Sequence, residues 1–459
     1  MTLRRLTTRE YLVNLVAAMA AMPLYKRREW RAPDATRAWQ LRRIARLVDR
    51  AYAQVPLYRD KYQAVGYRPG ALRTWDDFTR LPTVTKEEIA GGYPDRSVAR
   101  DTPLERCLLS TSSGSTGRVM VIAHRADRNW AYAVATQRLL RWAAGGGYPF
   151  WYRQAYIYTS PYPTPQLPGI FPLIFIPTAN APGPMLDALR RTRPHLLTAY
   201  PTVLRDLLAA DPQGMRALGL RGVSVSSELS TQEERDAWSE ILGCPVRDEY
   251  SSEELTRIAA QCPEKRYHLM EDIVYSEILE PGSDRAAVGL GEVVGTELHN
   301  TAMPFIRYRQ GDLALIERPG CPCGRPSRLL GALQGRANDG FFLADGRRLS
   351  AGFLLDAAYR ALMSRPGAMV AYRLIQRSLD AVELQVVPGP AWSPAAADEL
   401  SRGLRAALGG GLRIYPTIVD TLERGGGGKR ATIVRDPTVP VPERPPSADQ
   451  AAREAKYQA

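Results

Sequence analysis

The sequence predicts an α/β protein, and two stretches of alternating pattern carry that expectation. From about residue 106 to 335, β-rich runs such as Gln154-Ala155-Tyr156-Ile157-Tyr158-Thr159 and Leu173-Ile174-Phe175-Ile176 alternate with helical stretches such as Met185 to Arg193 and Thr231 to Leu242. Strands spaced by helix-length segments imply crossover connections over a sheet. Residues 340 to 436 alternate again on a smaller scale, with Ala371 to Gln376 and Ala381 to Val387 expected as paired strands. A chain of 459 residues exceeds what one core organises, so the two stretches read as separate domains, 1–335 and 336–436.

In chain order, residues 1–105 read as a basic, helical lead-in, with an apolar stripe at helical spacing from Trp39 to Tyr52. Tyr11 to Leu24 is apolar but interrupted by Asn14 and shorter than the roughly 20 residues a bilayer needs, so a packed helix is expected and no membrane span. No cleavage context follows it, and residence in the cytoplasm is expected. The pro-rich segment 437–459 reads as a disordered tail, and there is no internal repeat. The net charge is +13, yet residues 1–50 hold twelve Lys and Arg against four Asp and Glu. No zinc-finger, RNA-recognition or helix-turn-helix signature accompanies that charge, so solvated basic helices are expected rather than a nucleic-acid partner. Five cysteines, sparse and odd in number, do not form a secretory disulfide framework.

The most informative segment is Ser110-Thr111-Ser112-Ser113-Gly114-Ser115-Thr116-Gly117-Arg118, which follows the apolar Cys107-Leu108-Leu109. A strand emptying into hydroxyls and glycines can turn backbone N–H and side-chain O–H groups onto phosphate oxygens. The glycine spacing is not that of a Walker A loop, and Gly428-Lys429-Arg430 lacks the following hydroxyl. A plain Ser/Gly linker is the alternative reading of the same composition.

Further motifs follow in fixed order, and with them the chain resembles the adenylate-forming (ANL) superfamily, in its phenylacetate-CoA ligase and CapK-like branch, from Leu81-Pro82-Thr83 to about Arg435. The resemblance implies a large domain of mixed β-sheets with flanking helices and a small, mobile α+β domain. It implies that Ser112, Ser113, Gly114, Ser115, Thr116, Gly117 and Arg118 close over the ATP phosphates, and that Ser227, Glu228 and Leu229 line the adenine. Tyr250 and Ser251 would contact the nucleotide, Glu254 would hold Mg²⁺, Asp312 would accept the ribose hydroxyls with Arg336 near them, and Gly425 to Lys429 would deliver a catalytic lysine. A carboxylate suits two hydroxyls because it offers two acceptor oxygens. Glu253 stands where the family has Ser or Thr, which leaves Glu253 and Glu254 as rival Mg²⁺ ligands, with Glu254 preferred.

Cys262, His268, Cys321 and Cys323 have the chemistry of a closed, structural zinc site, three thiolates and an imidazole, if the fold brings the two pairs together. Turn cysteines with a surface histidine are the alternative. Cys107 and Cys244 read as core residues. No Ser-His-Asp or HExxH pattern occurs, so covalent nucleophilic catalysis is not expected.

Three functions follow. The first is ATP-dependent activation of a carboxylic acid, aromatic by the Tyr- and Phe-rich stretch Tyr156 to Ala181, and transfer to coenzyme A. The second passes the acyl group to an amine, a carrier protein or another small molecule, which the charged turn Asp345-Gly346-Arg347-Arg348 favours. The third, a non-catalytic nucleotide-binding protein, would dispense with Lys429 or Asp312, and both are present. A dimer is compatible with all three.

Overall fold

The computed structural model describes residues 4–112, 120–162, 169–331, 333–336, 339–363, 367–408, 411–424 and 429–440. The expected phosphate-loop residues Ser113 to Arg118, the run Gly425 to Gly428, Ala337 and Asn338 lie outside them, as does the chain from residue 441.

The lead-in is helical throughout: Thr8–Arg28, Pro33–Gln54, Pro56–Ala64, Trp75–Thr79 and Lys86–Gly91. Three of these begin with reciprocal capping boxes, Thr7 with Glu10, Thr74 with Asp77 and Thr85 with Glu88, which satisfy amide donors that the first turn leaves open. Two others start on proline, whose fixed φ and missing N–H suit the first helical position. Ile44, Val48, Tyr58, Tyr62 and Phe78 pack in one core with Val274, Val293 and Tyr308 of a four-stranded antiparallel sheet. That sheet has the order Val274–Leu279, Gly291–Glu297, Tyr308–Ala314, Gly335–Arg336.

Arg307 locks the two together. Fully buried at φ +49, it pairs with Glu277 at 3.1 Å and donates to the Thr79 carbonyl at 2.7 Å and to that of Leu81. Removing Glu277 would strand a buried cation, a loss of about 3–5 kcal/mol.

The larger sheet orders its strands Ile316–Glu317, Leu329–Leu330, Tyr267–Leu269, Thr256–Gln261, Val246–Ser252, Gly222–Ser226, Leu196–Ala199, Gln154–Tyr158, Leu173–Pro177. From Val246–Ser252 to Leu173–Pro177 the pairing is parallel, and on the other side antiparallel. Helices Pro182–Thr192, Pro201–Ala210 and Gln232–Leu242 supply the crossovers, and Leu189, Leu204, Leu207 and Trp238 bury against Leu197, Val223 and Val225. The first of these helices was expected to reach Arg193, but that residue turns left-handed at φ +42 and ends it. Gly222 opens its strand against Ala143, whose carbonyl oxygen would lie 2.0 Å from a Cβ there.

Cys107–Ser112 and Met120–Arg125 form an antiparallel ribbon on either side of residues 113–119. The C-terminal sheet, Arg413–Ile418, Ala381–Pro388, Met369–Ser378, Ile433–Arg435, packs with Ala351–Met363 and Pro394–Leu408 around its own core of Leu374, Leu384, Leu400 and Leu404. The expected pair of strands is there, antiparallel. The last described residues pack back on the chain, where Val439 is buried and its carbonyl accepts from Arg435; the rest of the expected tail lies outside the described residues. No helix among the described residues is long and apolar enough to cross a membrane.

Candidate active site

The site lies where the central strand Val246–Ser252 of the large sheet faces Tyr308–Ala314 of the four-stranded sheet. Tyr250 is buried and its hydroxyl donates to Asp312 Oδ2 at 2.6 Å. The backbone register sets Asp312 opposite Arg336, whose Nε lies 3.8 Å from Oδ1. Burial raises the Asp312 carboxyl pKa, and the Arg336 charge and the Tyr250 hydrogen bond oppose it. One turn past Tyr250, Glu254 is buried and accepts from the Tyr308 hydroxyl at 3.2 Å, while Glu253 opens to the cleft. Tyr308 was not singled out in the sequence, although it opens the strand that carries Asp312.

Lys429 reaches this cleft from the far end of the chain. Its ammonium lies 5.9 Å from the centre of the Tyr200 ring. Burial lowers its pKa, the nearby Glu228, Glu253 and Glu254 carboxylates push the other way, and Arg336 adds to the lowering. The neighbouring chain is clamped: Arg430 N–H donates to Glu228 Oε1 at 2.8 Å, and Arg424 and Arg430 both pair with Asp206, at 2.6 and 2.9 Å. Glu228 Oε2 accepts from the Thr202 amide at 3.0 Å. Both oxygens of this carboxylate thus hold backbone amides, a part not foreseen in reading it beside the adenine. Ser227 stands at φ +69, turning the chain at the strand end, and Leu229 packs at Gly335, where a Cβ would meet its Cδ1 at 2.8 Å. Ser251 lies 3.4 Å from Glu249 Oε1. Ser112 closes its strand, buried, at the edge of the undescribed loop.

Beside the cleft is a cluster of tyrosines over a buried ion pair. Arg257 pairs with Glu249 and donates to the Tyr132 hydroxyl at 3.2 Å. Tyr158 shares a 2.7 Å hydrogen bond with Ser226, and its ring lies 4.8 Å from that of Tyr200. Tyr156 and Tyr162 rings stand 4.7 Å apart. Arg257, Glu249, Tyr132 and Tyr200 were missed, because their neighbours come from elements up to 125 positions away.

The cysteine pairs do meet. Cys262, His268, Cys321 and Cys323 have all four ligand atoms within 4.8 Å of one another. Cys262 and Cys321 sulfurs are 3.6 Å apart, and Cys323 Sγ is 3.2 Å from His268 Nε2. His268 Nδ1 is held by Ser327 Oγ at 2.8 Å, so the ring is oriented with Nε2 toward the sulfurs. The strand pairing of His268 with Leu329 brings the distant segments together.

No family model matches the chain. It is 29% identical over 330 residues to the phenylacetate-coenzyme A ligase of Pseudomonas putida, covering 67% of this chain and 72% of the relative. The enzyme of that name from Escherichia coli (strain K12) gives the same values, and that of Thermus thermophilus is 27% identical over 321 residues, 66% of this chain and 71% of its own. A crystal structure of 2-hydroxyisobutyryl-CoA ligase in the postadenylation state superposes with a TM-score of 0.74 over 94% of both chains at 22% identity. The anthranilate CoA ligase AuaEII in complex with anthranoyl-AMP gives 0.54 over 72% of this chain and 67% of its own, at 16% identity. The structures define an adenylate-forming ligase fold. Taken together, the chain is similar in sequence to phenylacetate-coenzyme A ligases and in fold to adenylate-forming CoA ligases.

Proposed function

We propose that this protein uses ATP to activate an aromatic carboxylic acid as an acyl-adenylate and then transfers the acyl group to coenzyme A. One observation carries the reading: Lys429, Glu254 and the Tyr250–Asp312–Arg336 set, which come from segments far apart in sequence, converge on one cleft. The named relatives, phenylacetate-coenzyme A ligases, support the same chemistry.

A carboxylate approaching the α-phosphate brings anion to anion, so the protein must align the two and supply positive charge. Asp312, held by Tyr250, would take the ribose hydroxyls and fix the nucleotide along the strand. Lys429 would face the charge that develops at phosphorus, and its half-buried ammonium acts there more strongly than it would in water. Glu254, with Glu253 open beside it, would hold Mg²⁺, whose charge offsets that of the phosphates when bound. Ser112 to Arg118 would close over the phosphates. The tyrosines around Arg257 and Glu249 would receive the acid's ring, stacking on its faces.

Residues 336–436 act in this proposal as a small domain that turns about the segment at Arg336. The 2-hydroxyisobutyryl-CoA ligase superposes at 0.74 in its postadenylation state and at 0.59 in its thioesterification state, each over 94% of this chain, which supports a first conformation with Lys429 in the cleft. The charged turn at Asp345 to Arg348 does not argue for another acceptor. Arg347 pairs with Asp345 at 2.7 Å, and Arg348 is buried and donates to the Arg336 carbonyl at 2.9 Å.

The Cys262, His268, Cys321, Cys323 cluster fits one structural zinc ion. Tetrahedral thiolate ligation places sulfurs about 3.8 Å apart, and the structure has 3.6 Å. The ion would crosslink the loop after Gln261 to the segment before Arg336, with no position left for water.

The test is acid-dependent exchange of labelled pyrophosphate into ATP over a panel of aryl carboxylic acids. Exchange with at least one acid and none without acid is expected. Exchange with no acid of any class, from protein shown to bind ATP, would overturn the reading.

A further inference from the structure

The first helix leaves its apolar side uncovered. Positions 11–25 contain no charged residue, and within Thr8–Arg28 the side chains of Leu12, Val13, Val16, Met19 and Leu24 are 43 to 65% exposed. They recur at helical spacing on the face opposite the buried Asn14, Ala18 and Tyr25. Arg5 and Arg9 stand exposed at one end of the stripe, and Lys26 and Arg27 at the other.

Against the same helix lies a cleft of about 230 Å³, floored by Tyr25, Trp39 and Trp130. Four arginines line it, Arg28, Arg42, Arg43 and Arg46, and no carboxylate does among the described residues. The last three share a helix face with Trp39. Arg28 is sandwiched, its guanidinium carbon 4.6 Å from the Tyr25 ring centre and 4.4 Å from that of Trp39, and its Nε is buried without an acceptor. Arg43 donates to the Leu298 carbonyl at 2.8 Å, while Arg42 and Arg46 are exposed at the mouth. The acids nearby are committed elsewhere: Glu29 to Arg138 and Arg141, Asp272 to Arg138, and Glu10 to Arg4 and the Thr7 amide. An arginine cage with an unsatisfied donor is suited to a phosphate, and an adjoining apolar stripe to hydrocarbon.

We infer that this helix and the arginine cleft beside it form a docking site for an anionic phospholipid surface, the lipid phosphate entering the cleft and the apolar stripe resting at the acyl boundary. Charge complementarity selects this occupant. A second copy packed on the stripe about a twofold axis would set Arg5 and Arg9 against Lys26 and Arg27, or each against itself, with the helix's own carboxylate, Glu10, already paired to Arg4. A nucleic acid would use the arginines and leave the stripe in water.

Co-sedimentation of the full-length protein with vesicles tests it. Vesicles of phosphatidylcholine with about a third phosphatidylglycerol should pellet the protein, and pure phosphatidylcholine should not. Arg42→Glu with Arg46→Glu should lower partition at least tenfold, since each basic side chain at an anionic surface matters by severalfold. Val16→Asp with Met19→Asp, which leaves the arginines intact, should lower it as far. Both variants replace exposed side chains, and retained melting temperature and pyrophosphate exchange would show them folded. Equal pelleting by both vesicle types, or pelleting unchanged in either variant, overturns the proposal. So does a dimer in sedimentation velocity that Val16→Asp with Met19→Asp dissolves, or retention on duplex DNA without vesicle binding.

Discussion

Replacing Asp312 by alanine probes the nucleotide end of the site most sharply. In the structure its Oδ2 receives the Tyr250 hydroxyl at 2.6 Å, and Oδ1 faces Arg336 at 3.8 Å, so the carboxylate is held in one orientation before any ligand arrives. Two ribose hydroxyls donating to this anion would contribute about 1.5–3 kcal/mol each. The gross loss on truncation is therefore about 3–6 kcal/mol. Water in the vacated space, and the freed Tyr250 and Arg336, would recover part of it, leaving a loss of tenfold to about a hundredfold in ATP affinity. Tyr250→Phe removes only the hydrogen bond that orients the carboxylate and should weaken binding by about two- to tenfold. On the Asp312→Ala background the same change should matter less, since there is no carboxylate left to orient. Titration calorimetry of the four proteins with a non-hydrolysable ATP analogue measures all of this. Affinity of Asp312→Ala within about twofold of the parent would refute the ribose assignment.

Lys429→Ala should slow adenylate formation by about a hundredfold or more while ATP affinity changes little, and rapid-quench rates with calorimetry separate the two. Protein purified without chelator should carry close to one zinc per chain by elemental analysis, and Cys323→Ser should release the metal and lower the melting temperature more than it alters the exchange rate. Glu297 is buried, and burial pushes its carboxyl pKa from 4.5 up to about 7 despite the amides of His299 and Asn300. The folded state then holds this proton more tightly than the unfolded chain. Its stabilising contribution is complete below about pH 4.5 and lost as pH rises through about 7, at most about 3 kcal/mol. Glu297→Gln should narrow the difference in melting temperature between about pH 5 and about pH 8, and an unchanged difference would assign that pH dependence to other groups.

Local pattern made much of this fold legible. The strands Gln154–Tyr158 and Leu173–Pro177 and the helix Gln232–Leu242 sit where apolar runs and the Thr231 cap place them. Which sheet the lead-in covers was not legible, because helical periodicity does not reveal a helix's partner; that depends on Arg307, whose carbonyl acceptors lie 226 and 228 positions away. In the cleft, Tyr250, Asp312, Arg336 and Lys429 could be read from motifs, and they converge. The support around them could not. Glu228 serves two amides, Asp206 two arginines, and Glu249 is neutralised by Arg257, arrangements set by tertiary contacts between residues that carry no local signature. The metal-type cluster was legible in residue type, and its closure rests on the pairing of His268 with Leu329.

The central claim is two-step chemistry through an acyl-adenylate, and its most direct measurement is product analysis by mass spectrometry with ATP, Mg²⁺ and an acid that supports exchange. Without coenzyme A, the account predicts a burst of about one pyrophosphate per active site and an enzyme-held acyl-adenylate. With coenzyme A it predicts turnover, with AMP, pyrophosphate and acyl-CoA formed in equal amounts. ADP and phosphate in place of AMP and pyrophosphate, or pyrophosphate release that does not depend on the acid, would contradict it.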